Sequence, residues 1–321
     1  MNILITGGAG FIGLHLAKFH LELGDSVYII DNLFKTNKDN DLEFENMKKN
    51  PNFHFISIDL SNKVSNIDIP KDLEIVYHLA AINGTRLFYE IPYEVSRINL
   101  LSTINLLDWL ETQSVKRIIY SSTSEVYAGA YDYGLVDFPT NENVPVIFKQ
   151  PTHDRFSYAT SKFMGEILFI NFGKKFNKEI SVLRYHNIYG PRMGSKHVIP
   201  ELILRINQSE NPLKLFGFSE TRSFCYISDA IDATYRIAKC TESIGEIIHI
   251  GNSFEEIKIY DLADKIISIM GANIRIDESQ SLEASVNRRC PDISKLQLLT
   301  DFSPKVDLQK GLEDTISWYL N

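Results

Sequence analysis

The sequence predicts an α/β protein: a doubly wound parallel sheet with a smaller, interleaved C-terminal domain. Two observations predict it. Short β-branched runs alternate with amphipathic stretches through the first half of the chain, the pattern of strands joined by crossover helices. Runs such as IVYHLAA and VKRIIYSS are apolar on both faces, as strands covered by helices on either side must be.

The elements follow in order. Met1-Asn2-Ile3-Leu4-Ile5 opens a buried strand, Asn2–Thr6, and an amphipathic helix spans Gly10–Leu23. Strands are expected at Ser26–Asp31, Phe53–Ser57, Ile75–His78, Arg117–Ser121 and Glu179–Tyr185, with helices at Tyr93–Glu111 and Phe156–Phe176. Beyond about residue 186 the pattern loosens, because Gly190-Pro191, Asn211-Pro212 and Gly217 punctuate it with turns. Glu246–Gly251 (EIIHIG) reads as one more strand of the sheet, and from Tyr260 the chain reads as helix, strand, loop and final helix. The sheet domain is therefore expected over residues 1–185 plus about 218–251, and the second domain over 186–217 and 252–321.

Composition excludes other classes. The 321 residues are 44% hydrophobic and 23% charged, close to a soluble globular average. A net charge of −8 argues against nucleic acid as partner. No apolar run approaches roughly 18 residues, so no membrane span is expected. The N-terminus lacks a charged segment followed by an apolar one, which points to the cytoplasm. The three cysteines, Cys225, Cys240 and Cys290, show no CxxC spacing and suit free thiols. The histidines form no HxxxH pair, and no metal site is expected.

Directly after the first strand, Gly7, Gly10 and Gly13 recur in a GxxGxxG spacing, with Gly8 as an extra early glycine, rather than GxGxxG. The need is the same in either spacing: a tight turn, close backbone approach to a pyrophosphate, and N–H groups at a helix start facing the anion. Asp31 closes the second strand 18 positions after Gly13. A carboxylate there accepts from ribose hydroxyls and repels a 2′-phosphate, favouring NAD over NADP. No Arg follows it: Asn32-Leu33-Phe34 come next, and the first base is Lys35. Asp59 and Leu60, after the third strand, are placed to meet the adenine edge.

Tyr158 and Lys162 form YxxxK, one helical turn apart on a shared face. An ammonium beside a phenol is expected to favour the phenolate, a general base for a sugar or alcohol hydroxyl. Lys162 can also hold the nicotinamide ribose. A second YxxxK, Tyr235 to Lys239, has no dinucleotide context and reads as an ordinary helix position. Thr123 ends a strand about 35 residues before Tyr158, where strand ends line the ligand crevice, so its hydroxyl can bind the same oxygen.

These segments, with His78-Leu79-Ala80-Ala81, Ser121-Ser-Thr-Ser-Glu-Val-Tyr127, Asn187-Ile-Tyr-Gly-Pro191, Arg222-Ser-Phe-Cys-Tyr-Ile-Ser-Asp229 and Arg289-Cys-Pro-Asp-Ile-Ser-Lys295, occur in one order along the chain. Together they resemble the extended short-chain dehydrogenase/reductase family of NAD-dependent nucleotide-sugar epimerases, dehydratases and decarboxylases, on a Rossmann-type sheet. The resemblance implies a tightly held NAD that oxidises the sugar, usually at C4, and a C-terminal domain that grips a nucleotide-diphosphate sugar. It also implies a homodimer built on a four-helix bundle. By position it implies Thr123, Tyr158 and Lys162 as the catalytic triad, with Glu125 beside them. Phe11, Ile12, Asn32, Leu79, Ala80, Ala81 and Tyr185 fall on the cofactor side. Ser124, Asn187, Arg192, His197, Arg222 and Arg289 fall on the substrate side, where guanidinium forks suit phosphate. His186 is a further candidate contact.

The order Thr-Ser-Glu at 123–125 is similar to UDP-glucuronate decarboxylases and to GDP-mannose 4,6-dehydratases. A uronate oxidised at C4 is a β-keto acid that loses CO₂ readily, and the same ketone acidifies C5 for a dehydratase. The ending from Phe302 also resembles the decarboxylases. One stretch departs: Ser195-Lys196-His197 stands where the decarboxylases have an Arg. The narrowest expectation is UDP-glucuronate decarboxylation, with UDP-glucose-type 4-epimerisation and 4,6-dehydration as alternatives. A plain alcohol dehydrogenase and a non-catalytic NAD-binding regulator are the readings from other classes.

Overall fold

The computed structural model describes residues 1–34, 41–64, 67–279 and 286–320, so Lys35 lies outside the described residues. In chain order the first elements are β1 (Asn2–Thr6), α1 (Phe11–Glu22), β2 (Ser26–Asp31), α2 (Leu42–Met47), β3 (Phe53–Ser57), β4 (Ile75–His78), α3 (Thr85–Glu90), α4 (Pro92–Glu111) and β5 (Arg117–Thr123). After a 3₁₀ turn at Ser124–Tyr127 come α5 (Ala128–Asp132), α6 (Phe156–Phe176), β6 (Glu179–Tyr185), β7 (Ile188–Tyr189), α7 (Val198–Asn207), β8 (Leu213–Leu215), β9 (Thr221–Ser223) and β10 (Cys225–Tyr226). The chain continues through α8 (Ile227–Lys239), β11 (Ile247–Ile250), β12 (Glu256–Lys258), α9 (Ile259–Ile269), β13 (Ile276–Glu278), β14 (Arg288–Arg289), α10 (Ser294–Thr300) and α11 (Leu308–Leu320). No described helix is long and apolar enough to cross a membrane.

Seven strands form one sheet in the order β11-β6-β5-β4-β1-β2-β3. β3, β2, β1, β4 and β5 pair parallel in unbroken register, Ile3 opposite Ile75 and Val27, for example. All four side chains of β4 are buried, as the two-sided apolar run required. The strand order reverses between β1 and β4, and the crevice beyond their carboxyl ends is where a doubly wound sheet binds ligands. α4 and α6 pack against each other.

The chain divides into two compact units, each made of three segments. The first comprises Met1–Val126, Phe148–Arg184 and Thr234–Ile248, and the second Tyr127–Ile147, Tyr185–Ala233 and His249–Asn321. This differs from the sequence expectation, since 127–147, about 218–233 and 249–251 go with the second unit. Pairing accounts for these differences. Thr140 exchanges backbone hydrogen bonds with Cys290 (2.8 Å) and Asp292 (2.7 Å), and Tyr127 Oη meets His249 Nε2 at 2.7 Å. β9 is paired on both sides, by β12 and β14.

Within the first unit, the buried Arg117 acts as a hub. Its guanidinium donates to the carbonyls of Ala238 (3.0 Å), Ile237 (2.6 Å) and Cys240 (3.4 Å), and to Ser181 Oγ and Ser243 Oγ. These carbonyls end α8, and a cation there also meets the negative end of the helix dipole. The second unit has its own core, in which Leu202 and Ile203 of α7, Leu262 and Ile266 of α9, and Leu312 of α11 are buried together.

Candidate active site

The glycine turn is shaped by what it excludes. Gly7 sits at φ +71°, and a Cβ on it would lie 2.7 Å from the backbone nitrogen of Ala80. A Cβ on Gly13 would run into the Gly7 carbonyl and stand 2.8 Å from Gly8 Cα. The turn can therefore pass close under the segment after β4 and fold tightly onto α1 only with glycine there. Gly10 is the N-cap of α1, with no capping side chain and no acidic residue in the first turn. Phe11 and Ile12, which open that helix, are half-buried. An uncapped helix start in a cradle without side chains fits a pyrophosphate.

Asp31 braces this turn, accepting from the backbone nitrogens of Ala9 (3.1 Å) and Leu33 (2.8 Å). Its neighbour Asn32 is exposed and hydrogen-bonds Asp59. Asp59 closes its own turn by accepting from Ser61 N at 2.8 Å. Burial would raise its pKa, but the bonds from Ser61 and Asn32 outweigh that and hold the carboxyl below its ordinary range. Leu60 is buried, its carbonyl accepting from Asn105 at 2.8 Å. Leu79, Ala80 and Ala81 are half-buried after β4. Asn99 fixes the end of that segment, exchanging hydrogen bonds with the backbone of Ile82 at 2.7 and 3.1 Å and donating to Ser161 on α6. These residues fit NAD by cradle shape and by donor and acceptor chemistry.

Thr123 ends β5, and its hydroxyl accepts from Glu125 N at 3.2 Å. Tyr158 and Lys162 lie on α6 and are buried, as are Thr123 and Ser124. The Tyr158 hydroxyl is hydrogen-bonded to Thr123 and to Asn83. Phe88 of α3 stacks on the Tyr158 ring, with centroids 4.7 Å apart and planes within 10°. One expectation is corrected. Burial pushes the Tyr158 phenol up, and the charge of Glu125 pushes the same way, more than the bonds to Thr123 and Asn83 offset. Lys162 is not among the groups that shift it, and burial pushes Lys162 itself down to about 7, against the pull of Glu166. Its ammonium sits over the Tyr120 ring, 4.6 Å from the centroid.

Glu125 faces Arg155, with Nη2 to Oε2 at 3.5 Å and side chains 19% and 8% exposed. The same two charges reach Tyr89 of α3. Asn83, Phe88 and Arg155 were missed in the sequence, and only Arg155, three residues before Tyr158, had a position that could have suggested it. The other YxxxK is structural: Tyr235 packs on Phe19 and His20, 5.1 and 5.7 Å away.

The second unit carries the remaining candidates. Arg222 of β9 and Arg289 of β14 are register partners on parallel strands. Arg222 also donates to Glu220 (2.6 Å) and to the Thr221 carbonyl (2.8 Å). Asn187, left-handed at φ +43°, spends its amide donor on the Ser223 carbonyl at 3.0 Å, which anchors β9. Arg192, also left-handed at φ +68°, is half-buried. His197 is the N-cap position of α7, its carbonyl accepting from Glu201 N at 2.9 Å. Tyr185 is buried at the end of β6. His186 is fully buried, its ring 4.3 Å from that of His249. A cavity of about 570 Å³ is lined by Gly217, Phe218, Ser219, Glu220, Glu278, Ser279 and Asn287.

A brace of glycine and carboxylate at the sheet's reversal point, with a tyrosine and a lysine one turn apart beside it, is the equipment of an enzyme that exchanges hydride with NAD. Residues 3–251 match the NAD dependent epimerase/dehydratase family. The chain belongs to that family, and it is an NAD-dependent enzyme. It is 33% identical to a UDP-N-acetyl-alpha-D-glucosaminuronate decarboxylase of Bacillus cytotoxicus, across 98% of this chain and 97% of the relative. It is 31% identical to a UDP-glucuronate 4-epimerase of Thermodesulfobacterium geofontis, across 98% and 95%. Among solved structures it resembles UDP-glucuronic acid 4-epimerase from Bacillus cereus in complex with UDP-glucuronic acid and NAD, at a TM-score of 0.86 and 30% identity, covering 100% and 99% of the two chains.

Proposed function

We propose that the protein oxidises a nucleotide-diphosphate sugar at C4 to a 4-keto intermediate and that its reaction is decarboxylation of UDP-glucuronate. The observation that carries this reading is the meeting of Thr123, Tyr158 and Glu125 at one end of the sheet, the phenol hydrogen-bonded to the threonine and within the field of the carboxylate. NAD supplies the hydride acceptor and donor when bound. In its phenolate form, which burial and Glu125 oppose in the protein alone, Tyr158 takes the proton of the C4 hydroxyl, and Thr123 orients that oxygen. Lys162 holds the ribose beside the phenol. Once C4 is a ketone, the C5 carboxylate is β to it: the bond from C5 to the carboxylate breaks, CO₂ leaves, the electron pair passes to the C4 oxygen as an enolate, and Glu125, balanced by Arg155, relays a proton from water to C5 as the ketone re-forms. The two relatives and the solved structure named above all carry uronate-type substrates in their names, which supports the same class here.

The first unit is proposed as the NAD-binding domain and the second as the nucleotide-sugar domain. Arg222 and Arg289, side by side in register, suit a diphosphate, and the neighbouring cavity suits the nucleoside. We also propose a cytoplasmic homodimer. Tyr93 and Ile104 on α4 and Met164 and Ile167 on α6 are exposed apolar side chains on two helices that pack together. A second copy would cover them as a four-helix bundle.

The test is to incubate the protein and NAD with UDP-glucuronate, UDP-glucose, UDP-N-acetylglucosamine, GDP-mannose and dTDP-glucose, and read product masses. A product lighter by carbon dioxide from the uronate alone is expected, lost on the order of 10²–10⁴-fold in Tyr158→Phe. A product lighter by water, or an isomer of unchanged mass, would replace this reading with dehydration or 4-epimerisation.

A further inference from the structure

Tyr158, Lys162 and Glu166 follow one another at i, i+4 and i+8 on α6, and so lie along one helix face. All three are buried, Glu166 at 1% exposure. Arg184 grips the Glu166 carboxylate with two parallel bonds, Nε to Oε1 at 2.8 Å and Nη2 to Oε2 at 2.6 Å. Ser122, the residue before Thr123 on β5, donates to the same Oε1. The carboxylate is thus fixed by two strands beneath the helix. A buried pair of this kind costs desolvation on both sides and is weak evidence of stabilisation for its own sake. Lys162 is the charge one turn away, with its ammonium held over the Tyr120 ring. Burial disfavours that ammonium, the buried His78 of β4 feels its charge, and Glu166 is the charge that favours it.

We propose that Glu166, clamped by Arg184 and Ser122 one helical turn beyond Lys162, is a positioning residue that favours the charged form of Lys162 on the face that carries Tyr158. Glu166 touches neither substrate nor cofactor in this scheme and acts through Lys162. The inference rests on the catalytic reading of Tyr158 and Lys162, but its test does not need turnover. Whole protein labelled with ¹³C at lysine Cε would be titrated by NMR, with the Lys162 signal identified by its loss in Lys162→Arg. Glu166→Gln is expected to lower the Lys162 midpoint by about 1 pH unit or more. Glu166→Asp, which keeps the charge but withdraws it, should lower the midpoint less. The alkaline limb of kcat/KM should move down by the same amount in each variant. A Lys162 midpoint unchanged in whichever of the two variants folds would overturn the proposal, even if activity fell with the melting temperature. A shifted midpoint in a protein inactive towards every sugar nucleotide would keep the charge relationship and remove the reading it rests on.

Discussion

At the scale of single residues, the site gathers groups whose ordinary ionisation is disturbed by burial. His78 is fully buried, its ring nitrogens meeting Thr6 at 2.7 Å and Thr103 at 3.3 Å, and burial and the nearby Lys162 hold it well below the usual histidine range. Lys162 drops from the lysine value of 10.5 to about 7. Between these two values the unfolded chain carries a proton that the folded one lacks, so this group makes folding more favourable as pH rises from about 7 towards 10.5. Below pH 7 both states carry the proton, and the cost of the buried ammonium is present in full. Lys162→Met is therefore expected to be more stable than the parent at pH 6–7 and to lose that advantage by pH 10. Urea midpoints across this range would show it, and a difference that does not change with pH would contradict the assignment. The sequence made Tyr158, Lys162 and Thr123 legible because their spacing is local or tied to a strand end. Asn83 and Phe88 were not legible, since nothing in their own chemistry or period announces that a loop and a short helix converge on one phenol, and Arg155 offered only its place three residues before Tyr158.

Among elements, the strands and long helices were read nearly to the residue. Phe156–Phe176 is the helix expected, and the strand expected to end at Ser121 runs on to Thr123. These elements bury apolar faces with a clear period. The short strands of the second unit were not legible. β9, three residues long, exists because β12 and β14 pair with it, and the Thr140–Cys290 pairing joins positions about 150 residues apart. Arg117 shows the same dependence in reverse, because an arginine opening a buried strand looked unremarkable until α8 ended on it. Arg117→Met leaves the carbonyl of Ala238 without its side-chain donor, takes the strongest of three donors from that of Ile237 and unpairs part of the bonding of Ser181 and Ser243, and a loss of about 3 kcal/mol is expected from denaturant unfolding. A loss below about 1 kcal/mol would mean that water or a shifted end of α8 replaces the guanidinium.

For the whole molecule, the exposed apolar residues of α4 and α6 bear on assembly. Ile104→Lys combined with Ile167→Lys is expected to convert a dimer to a monomer in sedimentation experiments. Twofold packing would place these charges in the interface core, where unpaired ions are costly. A parent protein that sediments as a monomer would remove the dimer proposal outright. The overall class was legible from alternation alone. The division into units was not, because the chain changes unit five times, at 126/127, 147/148, 184/185, 233/234 and 248/249.

That weaving has a consequence for how the protein is made. The edge strand beside β6 is β11, at Ile247–Ile250. During synthesis from the N-terminus, β6 leaves the ribosome with one side unpaired and stays so until more than sixty further residues have followed. Throughout that interval the nascent chain presents an open, apolar sheet edge, the kind of surface that recruits other strands. A ribosome stalled anywhere between β6 and β11 would hold a partly built sheet of this sort, and the demand for chaperones should fall sharply only when the last strand docks.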